Sequence, residues 1–404
     1  MTNMNRKRNS GALAKAAALG VALAVLATGQ QALAGSREQA RRMYDRLTGT
    51  PPSPALLADL EGRLGATPTD ASRVATALYI LDRNAEHSKY FYSVTLKNFA
   101  SPWTNRDQSI FAPLNDYSAT VIGMVRDDVD FRGVLSEDIV YVGQGTTPAY
   151  SPTSNAHYDA LEGNSVDLRT ALTRTTQSSL NGLPPSATAG VITSRAGAEA
   201  FFIDGTNRAM FRFTLLNHMC RDLEQVHDTT RPPDRIRQDV TRSPGGDSSV
   251  FNNNCIGCHS VMDSMAQAFA FYDFDETVTR LVYTPGQVQP KYLINSDNFK
   301  PGYVTPNDAW ENRMRLPGKN THLGWDQSLP NGGNGAKSLG TELARSDAFA
   351  QCQVEKVFRA VCFRSPVDQD DRTQVEASFL NFKNNGGDLR RVFAETAVYC
   401  SRFE

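Results

Sequence analysis

Cys255-Ile256-Gly257-Cys258-His259 is the stretch of this chain whose residue types and spacing specify a chemistry. Two thiols separated by two residues can each add to one vinyl group along an edge of a porphyrin. A histidine directly after the second thiol projects its imidazole beneath the metal. This is the pattern that holds a c-type haem covalently. Zinc would need a second cysteine pair at ligand spacing, and Cys220, Cys352, Cys362 and Cys400 stand singly. A thioredoxin-like redox pair follows a strand in a βαβ setting, whereas this motif follows the polar run Asn252-Asn253-Asn254. The expectation is one covalent haem c on Cys255 and Cys258, with His259 as the proximal iron ligand.

The opposite face of the iron usually takes His or Met. Met262 lies too close to His259 in sequence to reach it. Met314, in Arg313-Met314-Arg315-Leu316-Pro317, resembles the methionine-bearing loop of class I cytochromes, and His322, in Asn320-Thr321-His322-Leu323-Gly324-Trp325, is an equal rival. Met314 or His322 is therefore the expected distal ligand, with His218, Met219 or an open position behind them. Met262, Met265, Ala266 and Phe269 fall at helical spacing after the motif and are expected to pack against the ring.

The positive segment Arg6-Lys7-Arg8, the apolar run from Ala16 to Ala27 and the small-x-small stretch Ala32-Leu33-Ala34 form an export signal. Cleavage is expected after Ala34, giving a periplasmic protein. The apolar run is shorter than the ~20 residues of a bilayer span, and no later stretch would anchor the mature chain. Losing Arg6, Lys7, Arg8 and Lys15 takes the formal net charge from -1 to -5. A mildly acidic surface carries no footprint for nucleic acid or anionic membrane.

The elements that must carry the motif are mainly helical. Helices are expected from Arg37 to Leu47, from Pro54, and after an N-cap at Asp70. Further ones follow from Tyr90 to Phe99, Asn115 to Met124, Val166 to Leu180, Asn207 to Leu223 and Val261 to Tyr272. Asp138 to Val142 and Leu281 to Tyr283 are the best strand signals. Residues 285–340 read as irregular, with Gly332 to Ser338 as a turn. Asp273, Asp275 and Glu276 read as a solvated loop, and Asp222 and Asp228, flanking His227, either as partners of a His–carboxylate pair or as helix-end residues. The fold class is thus mainly α: a signal peptide (1–34), a helical N-terminal region (35–240), and a cytochrome c-like haem domain (241–404), with long irregular loops.

An even remainder of four cysteines in an oxidising compartment implies two disulfides. Cys352 and Cys362 sit ten residues apart on one expected helix, about 15 Å at 1.5 Å rise. A disulfide needs Cα atoms within about 7 Å. A returning helix, Val375 to Phe382, would lay the last helix parallel to the first and set Cys362 beside Cys400. Cys220 is left for Cys352.

Several runs resemble a group of bacterial periplasmic cytochromes with one c-type haem and a large helical N-terminal region, known mostly as domains of unknown function. They are Ala189-Gly190-Val191-Ile192-Thr193, Arg212-Phe213-Thr214-Leu215-Leu216-Asn217, and the haem motif continued by Met262-Asp263 and Tyr272-Asp273. Ser346-Asp347-Ala348-Phe349-Ala350-Gln351-Cys352 and Arg46-Leu47-Thr48-Gly49-Thr50-Pro51-Pro52 add to the likeness. Many of those proteins continue Met-Asp with Pro-Leu-Gly, where this chain has Ser264-Met265-Ala266. The resemblance implies haem binding and electron transfer, without a defined substrate. The expected function is electron transfer with a periplasmic or membrane-bound redox partner, after haem insertion by the cytochrome c maturation machinery. The alternative is a haem enzyme of peroxidase or oxygenase type with an open distal site, since about 220 residues (255 minus 35) precede the motif.

Overall fold

Short polar caps and wide apolar stripes define most helices of the computed structural model, which describes residues 34–293 and 302–402. Of the expected export signal, residues 1–33 lie outside the described residues. Helix α1 (Ser36–Thr48) buries Ala40, Met43, Tyr44 and Leu47, and Gly49 ends it in the left-handed region. Ser53 caps α2 (Pro54–Leu64), which has Pro54 at its first position. The cap of α3 (Asp70–Ile80) is Thr69 rather than Asp70. Thr69 and Ser72 bond reciprocally in a capping box, leaving Asp70 in the first turn where its charge suits the helix N-terminus.

Helix α4 (Asp116–Arg126) is buried along its whole length. The Tyr141 ring lies flat against Gly123, where an added Cβ would come within 2.2 Å of it. Tyr141 belongs to β1 (Val140–Gly143), which pairs antiparallel with β2 (Leu172–Thr175). That strand interrupts the helix expected from Val166 to Leu180. Thr173 and Thr175 are stiff at χ1 and favour the extended backbone, so only the short turns Leu168–Ala171 and Gln177–Asn181 are helical. Likewise Phe91–Thr95 is a wide π turn leading into the helix Leu96–Ala100. Two more helices follow, α5 (Arg195–Phe201) and α6 (Arg208–Met219). Cys220, at φ 52°, stops α6 short of the expected Leu223, and α7 (Leu223–Val226) starts again from an Asp222 cap.

The motif helix, α8 (Ile256–Ala266), begins inside the motif rather than at Val261. It gives way to a 3-10 turn, Gln267–Phe269, and then to β3 (Tyr272–Asp275), paired with β4 (Arg280–Tyr283). The stretch expected to be irregular contains β5 (Ala309–Glu311) paired with β6 (Gly332–Asn334). Gly332 to Ser338 is thus not a free turn: it supplies β6 and the start of α9 (Gly335–Ala344).

Helices α10 (Asp347–Cys362), α11 (Gln369–Asn384) and α12 (Leu389–Ser401) close the chain. Leu389, Val392, Phe393, Ala394, Ala397 and Val398 make α12 apolar on too wide an arc for one neighbour. It packs on α10 and α11 and also on α1 and α3. Phe393 meets Phe91 and Phe99 edge-on at 5.1 and 5.2 Å. Arg46 of α1 donates to the Val361 carbonyl at the end of α10. One hydrophobic core cluster of the described residues runs from Ala40 to Val398, on both sides of the boundary expected at 240/241. Each Val, Leu or Phe sealed there contributes about 1.5–3 kcal/mol.

Two disulfides brace this arrangement. Cys362 and Cys400 join the C-terminal ends of α10 and α12 with Cα atoms 5.6 Å apart. Cys220 and Cys352 link the end of α6 to α10, with Cα atoms 5.3 Å apart. The whole is mainly α, with three two-stranded ribbons. Among the described residues no helix is long and apolar enough to cross a membrane.

Candidate functional site

A π turn, Phe251–Cys255, delivers the chain into α8. Cys255 ends that turn, and Cys258 and His259 fall in the first turn of the helix. Both motif thiols are free and half-buried, while the other four cysteines are disulfide-bonded. The loop after α7 covers the middle of the motif. Asp228 N–H donates to the Gly257 carbonyl at 3.0 Å, and Cys258 Sγ lies 3.7 Å from the Leu223 carbonyl oxygen. A Cβ on Gly257 would stand 3.2 Å from Thr229 Cγ2 and 3.3 Å from His227 Cδ2, so the loop seats closely against this glycine.

Burial, and then the charges of Glu224 and Asp222, push the Cys258 thiol above its usual range. That is opposite to the depressed thiol of a redox-active Cys pair.

His259 is oriented from below. Its Nδ1 is 3.3 Å from each oxygen of Asp263, one helical turn further on. Among the described residues Nε2 has no hydrogen-bond partner, and the side chain is 20 % exposed. Asp263 is fully buried. Burial would raise its carboxyl, but the charges of Arg208 and Arg237, with the hydrogen bond from His259, hold it well below the usual carboxylate range. Arg208 donates to Asp263 through Nε at 2.8 Å and Nη2 at 3.0 Å, and to Asp239 at 2.6 and 2.8 Å. Arg237, 1 % exposed, donates its backbone N–H to Asp263 at 3.3 Å, and its guanidinium lies over the Tyr292 ring. Two free thiols and an imidazole with one nitrogen tied and the other open are a donor set that fits a covalent haem.

The other singled-out residues divide. Met314 is buried on a 3-10 turn, Arg313–Arg315, that packs against α8. Arg313 pairs with Asp234 and Arg315 with Glu342, which pins that turn. His322 is exposed, with Nδ1 on the Lys319 carbonyl and, among the described residues, no hydrogen-bond partner on Nε2. His218 belongs to the core: Nε2 meets the Tyr117 hydroxyl at 2.6 Å, and the ring stacks on Phe349. Met219 is buried as well. Phe269, expected against the haem ring, instead packs its ring on Phe202 at 5.5 Å, because the turn beyond Ala266 faces the core. Asp273 pairs with Lys291, and Asp275 caps the β3–β4 turn at Thr277. Asp222 caps α7, and Asp228 pairs with Arg231.

Asp263, Arg208, Arg237 and Asp239 carry no assignment from the sequence. For Asp263 the i, i+4 spacing from His259 is a usable local signal. Arg208 lies 55 residues from Asp263, beyond any local pattern. His227, against Gly257, has its Nδ1 on the Glu224 carbonyl and 3.4 Å from Lys319 Nζ. Compared with known proteins, the chain matches no family model, no curated protein and no solved structure.

Proposed function

We propose that this chain is an exported, periplasmic c-type cytochrome that carries one haem on Cys255 and Cys258, with His259 as the proximal ligand, and passes electrons to a periplasmic or membrane-bound redox partner. The observation that carries this is the first turn of α8: two free thiols at haem spacing, followed by an imidazole whose Nδ1 is secured and whose Nε2 is open. When bound, such a haem supplies a reversible one-electron couple tuned by its ligands and surroundings. The protein's share is attachment, orientation of His259 and shielding. The cytochrome c-like unit is then the segment around α8, built into the common helical core.

His322 is the exposed one of the two distal candidates, and Met314 is the buried one, on a turn that packs against α8. A reduced-minus-oxidised spectrum with and without carbon monoxide, on wild type, Met314→Ala and His322→Ala, tests the assignment. A low-spin wild type indifferent to carbon monoxide, with one variant turned high-spin, supports the carrier. Ready carbon monoxide binding by wild type moves the function to a haem enzyme. A protein with no haem spectrum after expression with the attachment machinery overturns both.

A further inference from the structure

Asp263 is an expensive residue to place where it is. A carboxylate with no exposed side-chain surface is costly unless it is paired and hydrogen-bonded. Here the pairing is elaborate. Arg208 bridges Asp263 and Asp239, and the Arg237 guanidinium lies 3.8 Å from Asp263, so two cations face two anions. An ionised carboxylate offers about four acceptor positions. Arg208 takes one on each oxygen, and the Arg237 N–H takes another. What remains faces His259 Nδ1. A rise of 1.5 Å per residue sets positions 259 and 263 about one turn apart on the same face. The ring is thereby held in the tautomer that carries its proton on Nδ1 and leaves Nε2 open.

We propose that Asp263 is a positioning residue for the iron ligand: its carboxylate accepts the Nδ1–H of His259, fixes Nε2 as the ligating nitrogen and makes the imidazole a stronger donor, which lowers the haem midpoint potential. This rests on the haem assignment above. A carboxylate behind a metal-bound histidine orients the ring and raises its basicity, and a stronger donor favours ferric over ferrous iron. Arg208 moderates the effect, because its two hydrogen bonds draw charge from the same carboxylate. Lysine cannot span two carboxylates as the guanidinium fork does. Arg208→Lys should keep the charge but release acceptor capacity toward His259.

The test compares wild type, Asp263→Asn and Arg208→Lys as holoproteins, each first stained for covalent haem after denaturation. Wild type without stain overturns the haem assignment and this inference together. With haem attached, Asp263→Asn is expected to raise the midpoint potential by at least tenfold in the ferrous-to-ferric ratio, about 59 mV for one electron. Arg208→Lys is expected to lower it. The second variant separates the hydrogen bond from a simple field effect, since it leaves the net charge unchanged. It also decides the matter alone if Asp263→Asn does not assemble. Unchanged potentials, or shifts of the same sign in both variants, overturn the proposal.

Discussion

Helices α6 and α8 each present a histidine to a neighbouring side chain, and the two are treated in opposite ways. His259 faces an ionised carboxylate and keeps Nε2 open. His218 is sealed between Trp103, Tyr117 and Phe349, and among the described residues its Nδ1 has no hydrogen-bond partner. Burial, and then the Lys356 charge, hold the His218 imidazolium form well below its ordinary pKa. Lys356 itself lies 4.1 Å from the Trp103 ring centroid. One imidazole is therefore kept neutral as core, with its polar edge closed by a tyrosine hydroxyl, and the other is aimed. The neighbour's charge, more than depth alone, separates the core-packed His218 from the open-edged His259.

The largest effect expected from breaking this contrast is at Asp263. Asp263→Ala leaves Arg237 buried without its counter-charge and is expected to cost about 3–5 kcal/mol, as for one partner of a buried pair. The denaturation midpoint measures it, and a loss below 1 kcal/mol would mean the arginines are satisfied elsewhere. On the other side, Tyr117→Phe removes only the hydroxyl that closes His218. It should cost about 1–3 kcal/mol, the range for a buried polar atom left unpaired, with the haem spectrum unchanged. A spectral change there would place His218 in the site and dissolve the contrast.

The smallest effect is in pH. A base whose folded pKa is depressed binds its proton only in the unfolded chain, so folding stability falls as pH drops below the unfolded value near 6.5. Tyr117 and Lys356 are the titratable groups facing His218: burial raises the Tyr117 hydroxyl, so it keeps its proton in that range, while burial, and then the Arg359 charge, lower the Lys356 ammonium well below its ordinary value. The His218 contribution to the slope is at most about 1.4 kcal/mol per pH unit. His218→Phe should flatten the stability profile between pH 6.5 and the folded value. An unaltered slope would show that His218 is already protonated in the fold.

The same contrast explains what was legible in the sequence. The Cys255–His259 motif is a local spacing rule, and the cysteine pairing follows from helix rise and the returning helix of Val375 to Phe382. Both depend on neighbours in sequence. The Asp263 network joins α6, the loop of 237–239 and α8, and nothing in Arg208 or Asp239 alone marks them for each other. His218 looked like a candidate ligand because its type and its helix were visible, while Tyr117, 101 residues away, was not yet its partner. The β2 strand inside an expected helix, and the shared core across 240/241, were decided by tertiary pairing that overrides local propensity. The displaced cap at Thr69 is a smaller case, in which two adjacent residues could each have capped and Ser72 selected one.

The most direct measurement is the intact mass of the protein after acid-acetone treatment, which strips haem held only by coordination. Wild type co-expressed with haem-attachment machinery should keep the mass of one haem, and Cys255→Ala with Cys258→Ala should keep none. A wild-type chain that loses all its haem to the solvent, or a double variant that retains it, would contradict attachment at α8.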